Sequence, residues 1–122
     1  MKELADYGQK LDGLRERCPV RAALDVIRGR WKPSILHALQ QGTQRFTRLQ
    51  EAMPEVTAQA LTVQLRQLEA DGVIRRVVHA EVPARVEYSL TDHGAALTAV
   101  MDQLGEWGGA YLARQAEVRL EP

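Results

Sequence analysis

Four side chains in one short segment have the chemistry needed to bind the edges of nucleic-acid bases. The segment TAQALTVQLRQL contains Gln59, Thr62, Val63 and Arg66, and a helical projection places all four opposite Leu61. A glutamine amide pairs with adenine, a guanidinium pairs with guanine, and valine or the threonine methyl contacts the thymine methyl. An ordinary solvated helix face has the same composition, so the choice between the two interpretations depends on the neighbouring elements.

The segment itself has the features of a helix with one buried side. Thr57 is a residue type that caps helix N-termini, and Leu61, Leu65 and Leu68 recur at helical spacing. Gly72 is expected to end the helix. The stretch VIRRVVH is rich in β-branched residues, and in RVEYSL apolar and polar side chains alternate. The segment AEVPA between them forms a tip, so the three together predict a β-hairpin.

Five further helices are predicted around this unit. A short one falls in residues 2–17, and CPVRAALDVIRGRW, KPSILHALQQG and RFTRLQEAMP follow, ending at Gly29, Gly42 and Pro54. A long helix begins with a Thr91 cap. The side chains expected to face inward in the three middle helices are Val20, Ala23, Leu24 and Ile27, then Ile35, Leu36 and Leu39, then Phe46, Leu49 and Met53.

This order of elements predicts a mainly α fold with a small β-hairpin, a winged helix-turn-helix. The quoted segment occupies the position of the recognition helix. We expect a single domain over residues 1–122, in which residues 1–17 form an N-terminal segment. Residues 18–90 form the DNA-binding core, with a wing at about 73–90, and residues 91–115 form a C-terminal helix.

Composition and charge agree with this interpretation. The chain has 122 residues, of which 45% are hydrophobic and 26% charged, as in a soluble globular domain. Its net charge is zero, but residues 18–90 carry ten Lys and Arg against seven Asp and Glu, while residues 91–122 carry two against five. A nucleic-acid binder needs a basic face and not a basic total. No apolar run approaches a membrane helix and the N-terminus lacks a signal core, so we expect a cytoplasmic protein.

Three stretches together resemble the HxlR-type transcriptional regulators, a winged-helix group related to the MarR regulators. They are CPVRAALDVIRGRW, RFTRLQEAMPEVTAQALTVQLRQLEADGVIRR and VPARVEYSLTDHG, and the resemblance runs from about Cys18 to Trp107. It implies a bacterial homodimer that binds double-stranded DNA, most commonly as a repressor. Ala58 and Val63 depart from the longer polar residues often found in such recognition helices, which leaves the target sequence open.

With this resemblance, Gln59, Thr62, Val63 and Arg66 are predicted to face the bases. Contacts to the DNA backbone or through the wing are predicted for Arg45, Thr47, Arg48, Arg76, His79 and Arg85, with Lys32 as a further backbone contact. Arg75 and Arg76 alternate in the first wing strand, so at most one of them faces DNA. Glu81 would be repelled by phosphate, so the wing tip is not expected to enter a groove deeply.

The resemblance also implies dimerisation through both ends of the chain, with residues 1–17 as an N-terminal dimerisation segment and residues 91–115 as a C-terminal dimerisation helix. The residues predicted at the dimer interface are Leu4, Leu11, Leu97, Met101, Leu104, Trp107 and Tyr111. Apolar side chains at helical spacing are more often the core of their own domain. Here the first helices and the hairpin already supply a core, so a second copy is the simplest partner for the long helix.

Cys18 is the single cysteine, so no disulfide can form within the chain. It precedes a predicted helix, and Arg17 and Arg21 are near in sequence. Both features favour the thiolate, which oxidants and electrophiles attack. By the resemblance, some members use a cysteine at this position to sense disulfide stress, quinones or aldehydes, through a shift of the first helix at the dimer interface. The alternative is a small buried apolar residue at a helix start.

Other classes of function find less support. The three histidines, His37, His79 and His93, are scattered, and no phosphate loop, paired carboxylate motif or metal-ligand spacing is present, so neither an enzyme, a cofactor nor a metal site is predicted. Two alternatives stay open. One is a winged-helix module that binds proteins, and the other is a regulator whose pocket between the long helix and the DNA-binding core takes a small apolar ligand.

Overall fold

The computed structural model describes residues 18–120, and the elements below are those of this range. In chain order they are α1 (Pro19–Ile27), α2 (Lys32–Gln40), β1 (Gln44–Arg45), α3 (Phe46–Ala52), α4 (Ala58–Ala70), β2 (Ile74–His79), β3 (Arg85–Leu90) and α5 (Asp92–Leu120). The predicted winged helix-turn-helix is confirmed. The helix predicted in residues 2–17, with Leu4 and Leu11, lies outside the described residues.

Helix α4 begins and ends with the capping groups that its sequence predicts. The Thr57 hydroxyl accepts a hydrogen bond from the backbone N–H of Ala60 at 3.1 Å. At the other end, Gly72 has a φ of 76°, its N–H donates to the carbonyl of Glu69, and Val73 N–H donates to the carbonyl of Leu68. This Schellman arrangement needs the left-handed backbone that glycine adopts at little cost. It turns the chain directly from the recognition helix into the wing.

The wing is part of a three-stranded antiparallel sheet with the strand order β1-β3-β2. Ile74 pairs with Leu90 and His79 with Arg85, which is the predicted hairpin. Strand β1 was not predicted, because two residues are too few to show an alternating pattern. It pairs Gln44 with Tyr88, and so ties the start of α3 to the wing.

The core lies where α2, α3, α4 and the sheet meet. Its buried residues include Ile35, Leu36 and Leu39 of α2, Leu49 of α3, Leu61, Leu65 and Leu68 of α4, and Val73, Ile74 and Tyr88 of the sheet. The predicted inward faces of α2, α3 and α4 are therefore confirmed, with Phe46 partly buried. Burial of the leucine stripe of α4 directs its opposite, polar face outward.

Helix α5 is joined to the core at its first turn and extends well beyond it. The Thr91 hydroxyl accepts from the N–H of Gly94 and donates to the carbonyl of Gly72 at 2.7 Å. A hydrogen bond from Gln40 to the carboxylate of Asp102 adds a second attachment. The helix has 29 residues, five more at its C-terminal end than predicted, and is about 43 Å long.

The prediction for α1 was right about its end and wrong about most of its inward face. The helix ends at Ile27, and the predicted terminator Gly29 follows the C-cap residue with a φ of 118°. Val20 and Leu24 are 67% and 45% exposed, Ala23 is also exposed, and Asp25 on another side is buried. Val26 and Ile27 make the contact with the core. Amphipathic spacing identifies an apolar face, but it does not say whether that face packs on its own chain.

Candidate nucleic-acid interface

The four residues predicted to face bases lie together on the outer surface of α4. Gln59 and Arg66 are exposed, and Thr62 and Val63 are half-buried. The Thr62 hydroxyl donates to the carbonyl of Ala58 at 2.8 Å, so its hydrogen is already used within the helix. Thr62 therefore offers acceptor lone pairs and a methyl group, whereas Gln59 and Arg66 supply the hydrogen-bond donors.

A groove of about 540 Å³ runs between α4, the start of α3 and the wing. Its walls contain Arg45 and Thr47 from the β1–α3 junction, Thr62 from α4, and residues 81–86 of the wing. Phe46 and Tyr88 supply an apolar part of the lining. Sequence reasoning named the polar residues but missed these two aromatic ones, because only the pairing of β1 with β3 brings them together. The groove combines cations, hydroxyl groups and an apolar floor, which suits a sugar–phosphate backbone.

Two carboxylates hold the cations predicted for the wing. On the sheet face opposite the core, the Nε of Arg85 lies 2.8 Å from Glu87 and the Nε2 of His79 lies 3.4 Å from the same carboxylate. Arg85 also contacts Glu81 at 3.3 Å. The involvement of Glu87 was missed, although the i, i+2 spacing of Arg85 and Glu87 on one strand is a signal for it.

Arg76 lies on the other face of the sheet, directed towards α4. Its Nε is 3.5 Å from Glu69, and its strand partner is Tyr88. Burial raises the pKa of the Tyr88 phenol above its ordinary value of 10.0, and the Glu69 charge acts in the same direction while Arg76 and Arg66 oppose it. The predicted opposite orientation of Arg75 and Arg76 follows from the register. Arg76 therefore links the wing to the C-terminal half of the recognition helix.

The remaining residues predicted to contact the DNA backbone differ in their exposure. Arg45, Thr47 and Arg48 are exposed at the start of α3, and Arg45 is the N-cap residue. Lys32 is only 2% exposed, so its prediction as a phosphate contact was wrong. Its place in the first turn of α2 is covered by the packing of the domain, which no local pattern in the sequence indicates.

Cys18 is the N-cap residue of α1 and is exposed, with no side-chain capping hydrogen bond. The alternative in which it packs into the core of its own protomer is therefore wrong. Next to it, the exposed Val20 and Leu24 give α1 an apolar outer surface. A thiol at this position is open to solvent and to small oxidants.

Helix α5 carries an exposed apolar stripe along its length. Val100, Leu104, Trp107, Tyr111 and Val118 recur at spacings of three, four or seven residues, and all are exposed. Trp107, which is 66% exposed, stacks on Tyr111 with ring centroids 5.4 Å apart. Of the predicted interface residues, Leu97 and Met101 instead pack in part on the core of their own domain. The stripe proper begins where the helix leaves that core.

Metal-ligand clusters and membrane-spanning helices also bear on function. Between residues 18 and 120, no cluster of His, Cys, Asp or Glu is arranged to hold a metal ion. None of the helices in this range combines the length and the apolar character needed to cross a lipid bilayer.

Comparison with known proteins agrees with this geometry. Residues 26–116 match the model of the HxlR-like helix-turn-helix family. The HTH-type transcriptional regulator YdeP of Bacillus subtilis (strain 168) is 46% identical over 99 residues, which cover 81% of this chain and 77% of YdeP. The redox regulator HypR in its reduced form is 40% identical with a TM-score of 0.77, covering 82% of this chain and 99% of HypR.

The reduced form of the regulator YodB from B. subtilis is 34% identical, with a TM-score of 0.67 over 74% of this chain and 89% of YodB. HypR is also known in an oxidised form and YodB in a diamide-treated form. These relatives are transcriptional regulators and not enzymes. The chain therefore belongs to the HxlR-like helix-turn-helix family of transcriptional regulators.

Proposed function

We propose that this regulator is a homodimer that binds a specific double-stranded DNA sequence and acts as a repressor. The observation that carries the proposal is the groove between α4, the start of α3 and the wing, which brings Arg45, Thr47, Thr62 and Arg85 to one surface. These residues are separated by up to forty positions in sequence, and their convergence beside the proposed recognition helix supports contacts with a phosphate backbone.

In the proposed complex, α4 lies in the major groove. Arg66 binds a guanine, Gln59 binds an adenine, and Val63 with the Thr62 methyl contacts thymine methyl groups. Arg45, Thr47 and Arg48 bind phosphates beside the helix and set its position along the duplex, without carrying sequence information themselves. Arg85 and His79 of the wing approach the adjacent backbone, while Arg76 supports the wing from its other face.

The dimer is proposed to form through the exposed stripe of α5. Apolar side chains of this size rarely remain in water on a helix that extends beyond its own core, and a second copy buries them on both chains at once. The apolar outer surface of α1 and residues 1–17 are proposed to take part in the same interface. Two-fold symmetry then places two α4 helices on one side of the duplex, about 34 Å apart, and predicts an operator with two related half-sites.

We further propose that Cys18 makes DNA binding sensitive to oxidants or electrophiles. The support is the exposed thiol at the start of α1, together with the redox-regulator description of HypR and the diamide-treated form of YodB. With diamide, two Cys18 thiols lose two hydrogen atoms to the reagent, and a disulfide joins the subunits. The resulting displacement of α1 changes the spacing of the two α4 helices. Because its partner is chromosomal DNA, we place the protein in the cytoplasm.

The test is fluorescence anisotropy with a labelled duplex from upstream of the protein's own gene, against a scrambled duplex of the same composition. We expect selective binding to the upstream duplex that weakens steeply with salt, since phosphate contacts release counterions. Equal binding to both duplexes, or binding insensitive to salt, would contradict sequence-specific DNA recognition and favour a protein-binding module.

The redox part of the proposal has its own control in Cys18→Ser. Diamide is expected to abolish selective binding by the wild-type protein and to leave Cys18→Ser unaffected, and a reductant is expected to restore the wild-type binding. Binding that survives diamide in the wild-type protein would limit Cys18 to a structural role. Non-reducing electrophoresis distinguishes a disulfide between subunits from a mixed disulfide with a small thiol.

A further inference from the structure

The wing gathers an unusual number of charged groups around one carboxylate. Glu87 lies on the central strand β3, where Arg85 precedes it on the same face of the strand and His79 approaches from β2. On its other side, Arg45 of β1 is its strand partner, with its side chain on the same face of the sheet. Basic side chains from three strands thus face the single Glu87 side chain.

These ion pairs are only partly open to water. The side chains of Arg85 and Glu87 are 28% and 24% exposed, and the Nε atom of Arg85 is itself buried. A carboxylate beside a proposed phosphate-binding groove opposes the approach of DNA. The arrangement therefore has a cost for DNA binding.

We propose that Glu87 restrains the wing side chains Arg85 and His79, and thereby keeps binding to random DNA weak relative to binding to the operator. The inference rests on the proposed function. On random DNA the protein is free to shift along the duplex and to form every phosphate contact within reach of its cations. An Arg85 held at 2.8 Å by Glu87, and also by Glu81 at 3.3 Å, must give up ion pairs before it binds a phosphate. Its contribution to such unspecific contacts is then small.

On the operator the base contacts of α4 determine where the wing lies. The affinity then depends mainly on those contacts, so restraint of the wing cations reduces operator binding less than it reduces random binding. Glu87 is in this sense a positioning residue that affects specificity without touching a base.

The test compares wild type and Glu87→Gln by anisotropy on operator and scrambled duplexes over a series of salt concentrations. The glutamine has the same shape without the charge, and thermal unfolding followed by circular dichroism checks that the fold is kept. We expect tighter binding of the variant to scrambled DNA, a smaller operator preference, and a steeper salt dependence. Each new phosphate contact adds about 0.9 to the slope of log K against log salt. If one Arg85 per subunit is released, the slope for the dimer therefore steepens by about 1.8.

Three further variants separate the charge at this site from other effects. Glu106→Gln makes the same change in net charge at an exposed position of α5, and it is expected to leave the slope unchanged. The double variant Glu87→Gln with Arg85→Ala is expected to return to the wild-type slope, because the released cation is then missing. Glu81→Gln, at the exposed wing tip, is expected to change the slope in the same direction by a smaller amount, and keeps the test valid if Glu87→Gln does not fold.

The outcomes distinguish this inference from the proposed function. If the wild-type protein prefers its operator and Glu87→Gln has the same slope and the same preference, the inference is wrong and the proposed function stands. A slope that steepens equally in Glu106→Gln also overturns it, since total charge then explains the effect. If the wild-type protein shows no preference for any duplex, both proposals are wrong.

Discussion

Gly94, in the first turn of α5, is predicted to be the position where a single methyl group costs the most stability. A Cβ at this position would overlap the carbonyl oxygen of Val73, would lie 2.9 Å from the Val73 carbonyl carbon and 3.3 Å from a methyl of Leu90. The same carbonyl oxygen accepts the N–H of Thr91 at 3.1 Å. The overlapping atoms belong to the backbone, so no side-chain rotation relieves the contact, and α5 must move away from the connection between α4 and β2 that contains Val73.

The expected size of the effect follows from three contributions. Overpacking against a rigid neighbour destabilises by up to about 3 kcal/mol. Loss of the hydrogen bond between Thr91 and Val73 adds about 1 kcal/mol. The higher helix propensity of alanine over glycine offsets about 1 kcal/mol of this. The net loss of about 3 kcal/mol corresponds to a fall in Tm of roughly 10 °C for a chain of this size.

The matched control is Gly105→Ala in the same helix, where an added Cβ meets no atom within 4 Å. At Gly105 only the higher helix propensity of alanine acts, so we expect the free energy of unfolding to rise by about 0.5–1 kcal/mol. Thermal unfolding of both variants at equal protein concentration, followed by circular dichroism, makes the comparison. If Gly94→Ala is as stable as Gly105→Ala, the contact between Gly94 and the backbone of Val73 does not hold the helix in place.

Three other perturbations test the interface, the dimer and the buried phenol. Arg66→Ala is expected to lower operator affinity by about 1–3 kcal/mol while sparing random DNA, measured by anisotropy; equal losses on both would make Arg66 a phosphate contact. Trp107→Ala removes the stacked partner of Tyr111 and is expected to weaken the dimer at least about tenfold, measured by sedimentation. An unchanged dimer affinity would show that Trp107 stays exposed in the dimer. Burial raises the pKa of Tyr88, so the stability it contributes is present below pH 10 and is lost as pH rises through the folded-state pKa. As the pH rises above 10, the free energy of unfolding of Tyr88→Phe should therefore fall less than that of the wild type, by up to about 1.4 kcal/mol per pH unit. An equal fall in the two proteins would contradict a raised pKa for Tyr88.

Much of the candidate interface was predictable because recognition helices depend on local patterns. Thr57 caps α4, three leucines bury one side, and Gly72 ends it, so the polar face had to point outward. The hairpin was predictable for the same reason, since alternation within a strand depends on the strand alone. The pairing of β1 with β3, and with it the aromatic lining of the groove, was not predictable from two residues.

The sequence by itself determined which segments become the five described helices and the two strands of the hairpin, where they begin and end to within about five residues, and which face of α4 is polar. Capping, turn residues and periodicity act over one helical turn or one strand, and they are present in the chain before it folds. Only the tertiary structure decided that Lys32 is buried, that Val20 and Leu24 are exposed, and that Glu87 faces His79 and Arg85. Burial and ion pairing depend on which distant surfaces meet, and that depends on how all the elements pack together.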